Sequence, residues 1–252
     1  MDLSFVIPCS NEEQHLPSCL DSLLEQTIKP MQIIVVLNGC TDNSERIAKD
    51  YQKRFVDNNI EFDIVNSKKG LINARATGFS KVRGNLIASI DADSILIPQW
   101  VQYILDSFEK DNNIVGVTGK TVFRNKSIAV KLLNLFNAAA SRTKKTIPLR
   151  GNNCTIKNLN IDWYEGYNAM KEALESNGCI LESHHDDFFL MHRLNKHGNI
   201  IYKKEAKASL FMKDKGTNKL NIFRLLERWQ NRKQNSKMIA DYFEKHKELV
   251  VD

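Results

Sequence analysis

In the first hundred residues, apolar positions gather into short continuous runs separated by amphipathic stretches. "LSFVI" at 3–7, ended by Pro8, predicts a strand buried on both faces. Ser10 and Glu13 then stand at capping-box spacing, and Leu16, Leu20, Leu23 and Leu24 share one helical face. "QIIVVL" predicts a second strand running into the turn "NGCTDNS", where Asp42 and Glu45 open a helix expected to reach about Asp57. "EFDIV" is the third strand and leads through "NSKKG" to a helix over 74–82. "NLIASI" is the fourth and ends at Asp91.

Strands alternating with helical segments predict an α/β fold with a twisted, mostly parallel sheet flanked by helices. Ligands bind such sheets at the carboxyl ends of the strands. The polar runs "PCSNEE", "NGCTD", "NSKKG" and "DADS" all follow carboxyl ends, so these turns are expected to converge on one crevice. Beyond Pro98 the pattern predicts a helix over about 99–110, a strand "IVGVTGKTVF", an amphipathic segment over 128–140 and an extended "IPLRGNNCTIK". A helix over 186–197, with Phe189, Leu190 and Leu194 at helical spacing, precedes a strand "NIIYK". The stretch 218–247 reads as helical and basic, with Arg224, Arg228, Arg232 and Lys233. No repeat, low-complexity tract or linker interrupts the chain, so 1–252 is expected to form one domain, divided at about 97 and followed by a C-terminal helical segment from 218.

Composition narrows the class without choosing the chemistry. At 252 residues, 42% hydrophobic and 26% charged, the chain can build a sizeable soluble core. A net charge of +6 favours an anionic partner: a nucleotide, a nucleic acid or an anionic membrane surface. Leu225, Leu226 and Trp229 beside the C-terminal arginines fit a core-packed or solvated face first, and would also suit peripheral contact with such a surface. Five scattered cysteines without a C-x-x-C pair read as reduced side chains. "MDLSFVIPCS" lacks a basic n-region and no stretch approaches about 18 apolar residues, so a cytoplasmic location is expected.

The candidate chemistry centres on Asp91, Ala92 and Asp93. In an extended segment the two carboxylates would share one side of the chain, roughly 6 to 7 Å apart. That spacing suits a hard divalent cation, Mg²⁺ or Mn²⁺. The alternative is a solvated turn with an Asx cap.

Four ordered segments decide between these readings: "FVIPCSNEE", "IIVVLNGCTDNS", "GLINARATGFSKVRGNLIASIDADS", and Trp100 after "IP". Together they resemble a family 2 glycosyltransferase of the GT-A fold. The resemblance implies that Pro8, Asn11 and Glu12 line a nucleotide pocket, and that Asn38 and Arg75 approach base or ribose. It further implies that Asp91, Ala92 and Asp93 meet ribose and a metal-bound diphosphate, with Asp93 and Asp91 on the metal. "RGNNCTIK" is similar to the family's Gly-Asn segment, which puts Gly151, Asn152 and Asn153 beside the donor sugar. "HHDDFFLMHRL" is similar to its E-D-x-x-L-x-x-R-L helix start, aligning Asp186 with the usual Glu and Asp187 with the catalytic base. Residues 1–97 would then form the nucleotide-sugar half and 98–217 the acceptor side. The implied reaction is inverting transfer from a nucleoside-diphosphate sugar to a saccharide or lipid-linked acceptor in glycan or glycolipid synthesis. A carboxylate at a helix start is favoured in its charged form by the helix dipole, as a base requires.

The sequence also departs from the family. Leu37 and Asn38 replace an Asp-Asp or Asp-Asn pair, and Leu225 stands where processive relatives carry the Gln of Q-x-x-R-W, although Arg228 and Trp229 match its end. A histidine ligand is not evident near "LFMKD"; His184 or His185 could replace it or could form a surface pair. Three rivals remain. A non-catalytic nucleotide-sugar-binding or scaffolding protein would not transfer sugar. A nucleic-acid binder lacks a supporting motif here. A dinucleotide oxidoreductase would need a G-x-G-x-x-G after the first strand.

Overall fold

The computed structural model describes residues 1–124, 149–176, 185–210, 234–235 and 237–246. Its first half alternates strands β1 (Leu3–Cys9), β2 (Gln32–Leu37), β3 (Glu61–Asn66) and β4 (Leu86–Ile90) with helices α1 (Leu16–Leu24), α2 (Ser44–Val56) and α3 (Leu71–Phe79). Next come β5 (Ser94–Leu96), α4 (Trp100–Lys110), β6 (Ile114–Phe123), β7 (Asn153–Lys157), α5 (Tyr167–Ser176), α6 (His185–Leu194) and β8 (Asn199–Leu210). Residues 237–245 are helical as well. One curled eight-stranded sheet runs in the order β3-β2-β1-β4-β7-β6-β8-β5.

The continuous apolar runs are strands covered on both faces. Every residue of β1 and β2 is buried. Phe5 and Ile7 point into one core with Leu16, Leu20, Phe55, Trp100 and Phe108, whereas Val6 faces Ala74, Leu190 and Leu194 on the other side. Period-two alternation therefore divides β1 between two helical layers. The strands β1 to β4 pair in parallel. The rest is mixed: β7 is antiparallel to β4 and β6, β5 is antiparallel to β8, and β8 runs parallel to β6.

Several boundaries differ from those expected, each for a physical reason. The Ser10–Glu13 capping box does not form; α1 starts at Leu16, with His15 at the N-cap position, its side chain making no capping bond to the helix. Glu13 is engaged elsewhere: its N–H donates to Asp42 and its carboxylate accepts from Asn43. Helix α3 begins and ends three residues earlier than the expected 74–82, opened by Gly70 at φ 125°, a conformation costly for other residues. Asp91 and Asp93 are not in an extended segment. The Ser94 N–H donates to the Asp91 carbonyl at 2.9 Å, closing a turn between β4 and β5. Strand β8 outruns "NIIYK" because the register jumps from Gly119↔Lys203 to Lys120↔Lys207, and pairing then resumes to Leu210. No element was expected where α5 lies. The 128–140 segment, His184, and the C-terminal residues Arg224, Leu225, Leu226, Arg228, Trp229, Arg232 and Lys233 lie outside the described residues. Among the described residues no helix is long and apolar enough to cross a membrane.

Candidate active site

The turns after β1 and β2 are braced against each other by hydrogen bonds. Asn11, at φ 54°, adopts the left-handed conformation that Asn tolerates better than most residues. Its Oδ1 accepts from the Thr41 N–H at 2.7 Å, and the Glu12 N–H donates to Ser44 Oγ at 2.8 Å. The Glu12 carboxylate faces His15 Nδ1 at 3.1 Å. Asn38, buried at the end of β2, accepts from the Gly70 N–H at 2.8 Å, which ties the second turn to the start of α3. Pro8 is buried in β1 opposite Val36. Pro8, Asn11, Glu12 and Asn38 are thus gathered along one edge of the sheet. They frame a polar rim whose shape is set by backbone donors.

A second cluster lies where β4 meets β7. Arg75 rises from α3 and is only 4% exposed. Its Nη1 donates to Asp186 Oδ2 and, at 3.1 Å, to Asp187 Oδ1; Nη2 lies 3.5 Å from Asp91 Oδ1. One guanidinium therefore bridges the Asp91–Ala92–Asp93 turn and the first turn of α6. It is directed at these carboxylates, while Asn38 is held by Gly70. Burial alone would lower the Arg75 pKa, but Asp186 and then Asp187 hold it well above its ordinary value.

The loop before β7 closes this cluster. The Gly151 N–H donates to Asp187 Oδ1 at 3.0 Å, and Ser89 Oγ in β4 donates to the Gly151 carbonyl at 2.8 Å. A Cβ at position 151 would overlap both Arg75 Nη2 and Asp187 Oδ1, so a larger residue there would displace the guanidinium or the carboxylate. Asn152 Oδ1 accepts from Thr121 at 3.4 Å. Asn153 is fully buried: its Oδ1 takes the Trp100 indole N–H at 2.9 Å and its amide donates to the Lys120 and Ala206 carbonyls. Asn153 thereby joins α4, β6 and β8 beneath the site.

The two acidic residues opening α6 occupy different environments. Asp186 is entirely buried, whereas the Asp187 side chain is 20% exposed. The dipole-based expectation of an easily ionised Asp187 does not hold. Burial, followed by the Asp186 charge, pushes its pKa up to about 7, against the opposing pull of Arg75 and the Gly151 N–H. A carboxylate that titrates near neutrality is well matched to general-base work. Sequence reasoning missed Ser89, Ser44 and Tyr164. A lone serine inside the apolar run "LIASI" was a usable signal for the first. Tyr164, fully desolvated with its pKa raised by burial and then by Asp186, carried none.

A four-stranded parallel half with converging turns, joined to a mixed half that supplies an acid-bearing helix, defines an α/β protein whose clustered polar turns follow the carboxyl ends of its strands, where such sheets bind ligands. Residues 4–160 match the Glycosyl transferase family 2 model, and the chain belongs to that family. It is 36% identical over 115 residues to the uncharacterized glycosyltransferase EpsJ of Bacillus subtilis, a match covering 45% of this chain and 33% of that protein. It is 27% identical over 125 residues to the poly-beta-1,6-N-acetyl-D-glucosamine synthase of Staphylococcus epidermidis, covering 50% and 30% respectively. The chain thus spans about a third of the length of these curated relatives, 33% and 30%. The fold is shared with S. aureus TarS 1-349 in complex with UDP-GlcNAc (TM-score 0.60, 14% identity, 85% of this chain and 59% of that one). It is shared too with the mannosyltransferase PcManGT from Pyrobaculum calidifontis in complex with GDP-Man and Mn²⁺ (TM-score 0.60, 16% identity, 85% and 58%).

Proposed function

We propose that this chain transfers a glycosyl residue, with inversion, from a nucleoside-diphosphate sugar to a saccharide or lipid-linked hydroxyl in glycan synthesis. The observation that carries this reading is Asp187, partly exposed and raised toward neutrality, one guanidinium away from the Asp91–Asp93 turn. The braced rim of Pro8, Asn11, Glu12 and Asn38 would receive the nucleotide, and Gly151 with Asn152 would border the sugar. Asp187 would take the acceptor proton as the acceptor oxygen bonds the anomeric carbon. The bond to the diphosphate breaks on the opposite face, and its electron pair leaves with the nucleoside diphosphate.

The donor set fits a divalent cation of a particular kind. Among the described residues no group of three or more His, Cys, Asp and Glu side chains could hold a metal. Two carboxylates on a short turn, with the Asp91 side chain 36% exposed, suit an ion such as Mg²⁺ that keeps waters and takes phosphate oxygens as its remaining ligands. Asp91 and Asp93 would hold it, and when bound it would supply positive charge against the departing diphosphate.

Thermal denaturation with UDP-, GDP- and other nucleoside-diphosphate sugars, with and without Mg²⁺ or Mn²⁺, tests this. A cognate donor at about 100 times its Kd should raise Tm by roughly 5 to 10 °C. Asp93→Ala should stay folded and lose the metal-dependent part of the shift. No shift with any nucleotide sugar would overturn the assignment.

A further inference from the structure

Asp187 Oδ1 accepts two hydrogen bonds, from Arg75 Nη1 and the Gly151 N–H, whereas Oδ2 accepts none among the described residues. Building on the glycosyl-transfer reading, we infer that Arg75, Asp186 and Gly151 are positioning residues that pin Oδ1 and leave Oδ2 as the atom that takes the acceptor proton. In the balanced step the hydroxyl proton passes to Oδ2 and the acceptor oxygen's electron pair forms the new bond to the anomeric carbon. The old bond's pair leaves on the diphosphate.

Three features of the pin support this assignment. First, its two donors come from different layers of the fold, α3 and the loop before β7, so the carboxylate is fixed in direction as well as in place. Second, Asp186 is fully buried on the same Nη1, which fixes that end of the guanidinium while Nη2 reaches Asp91. Third, the arrangement is poor as a stabilising device. Asp186 Oδ1 and Arg75 Nε make no hydrogen bond among the described residues, and buried ion pairs seldom outperform apolar packing of the same volume. A costly, incompletely bonded pair beneath a partly exposed carboxylate is explained by the orientation it enforces. The charged groups facing Asp187 are Asp186, Arg75 and Asp91, while Tyr164 and Cys154, both raised by burial, stay neutral beside the pair.

The test compares wild type with Asp186→Asn, which keeps shape, and Arg75→Lys, which keeps charge but loses the planar fork. Turnover, donor KM and folding would be measured in each. A mispositioned base should lower kcat about 10- to 100-fold with donor KM changed by less than about threefold. Turnover within about twofold of wild type in folded Asp186→Asn and Arg75→Lys would overturn the pin. Should Arg75→Lys fail to fold, the isosteric Asp186→Asn carries the test. ¹³C-carboxyl titration gives an independent readout, with the Asp187 signal assigned by its loss in Asp187→Asn. Its midpoint should fall in Asp186→Asn, because a like charge is removed while Arg75 remains; an unchanged midpoint counts against the pin. If wild type transfers and hydrolyses no nucleotide sugar, the glycosyl-transfer reading fails, and this titration alone decides whether the pin exists.

Discussion

Charging Asp187 costs the folded protein stability, because the carboxyl must ionise in a desolvated site beside Asp186. Its folded pKa, about 7, lies above the ordinary value of about 3.9. Below about pH 4 the group is protonated in both states and nothing is lost. As pH rises from there through 7, the unfolded chain releases the proton first, and stability falls until both states are ionised. Asp187→Asn removes that penalty. Its Tm should exceed the wild-type Tm above pH 7, with the gap closing as pH is lowered toward 4. The same substitution removes the proton acceptor, so transfer should drop about 10²- to 10⁴-fold while donor affinity survives. Calorimetry across pH, paired with steady-state kinetics, reads both effects. A variant that is less stable than wild type at pH 8 contradicts the electrostatic argument, and one with normal turnover contradicts the assignment as base.

At the scale of elements, α3 is the part that ties the sheet to the chemistry. A Cβ on Gly78 would overlap Val6 Cγ1 and crowd Val36 Cγ2, so α3 lies closer to β1 and β2 than any larger residue would allow. Arg75 sits one turn earlier on the same helix. Gly78→Ala should therefore lift α3, costing about 1 to 3 kcal/mol through overpacking, and should lower turnover by moving the guanidinium. Urea unfolding followed by kinetics would check this, and an unchanged midpoint would show that the contact relaxes without cost. The sequence made α3 visible only approximately, since "LINARATGF" has little amphipathic pattern and its glycine and alanines serve close packing rather than a stripe. Strands β1, β2 and β4 were legible because full burial on both faces requires uninterrupted apolar residues, whereas β3, the half-exposed strand at the end of the sheet, shows only the short mixed run "EFDIV". The acidic pair was expected at a helix start through the family resemblance and lies at the start of α6, whereas the extended geometry expected of Asp91 and Asp93 gave way to a turn. The joining of Arg75 to Asp186, 111 residues apart, was not legible, because such a pairing leaves no local periodicity. Helix α5 was missed although Gly166 and the "SNG" at 176–178 flank it, because its half-polar pattern is weak and its burial is created by α6 and the 237–245 helix.

At the scale of the whole molecule, those same contacts bear on whether the chain is one unit, as proposed from the absence of any linker. Ile239 is fully buried among Tyr167, Met170 and Leu174 of α5 and Phe189 of α6. Phe243 packs on Phe189 with ring centroids 5.4 Å apart and stacks on His192 at 5.0 Å. Phe189 lies two residues beyond Asp187, so the C-terminal helix buttresses the helix that carries the acidic pair. Ile239→Ala should cost about 2 to 5 kcal/mol, the range for truncating a buried aliphatic side chain. Because the lost packing lies against α5 and α6, amide exchange should quicken along α6 while β1 and β2, each hydrogen-bonded to a strand on both sides, keep their protection. Turnover should fall with the loosening of α6, and donor binding at the β1 and β2 turns should change little. If 218–252 were an independent appendage, Ile239→Ala would speed exchange only within its own helix. Hydrogen-exchange mass spectrometry of wild type and variant separates the two outcomes, and protection of α6 unaltered by the substitution would divide the chain where the sequence gives no linker.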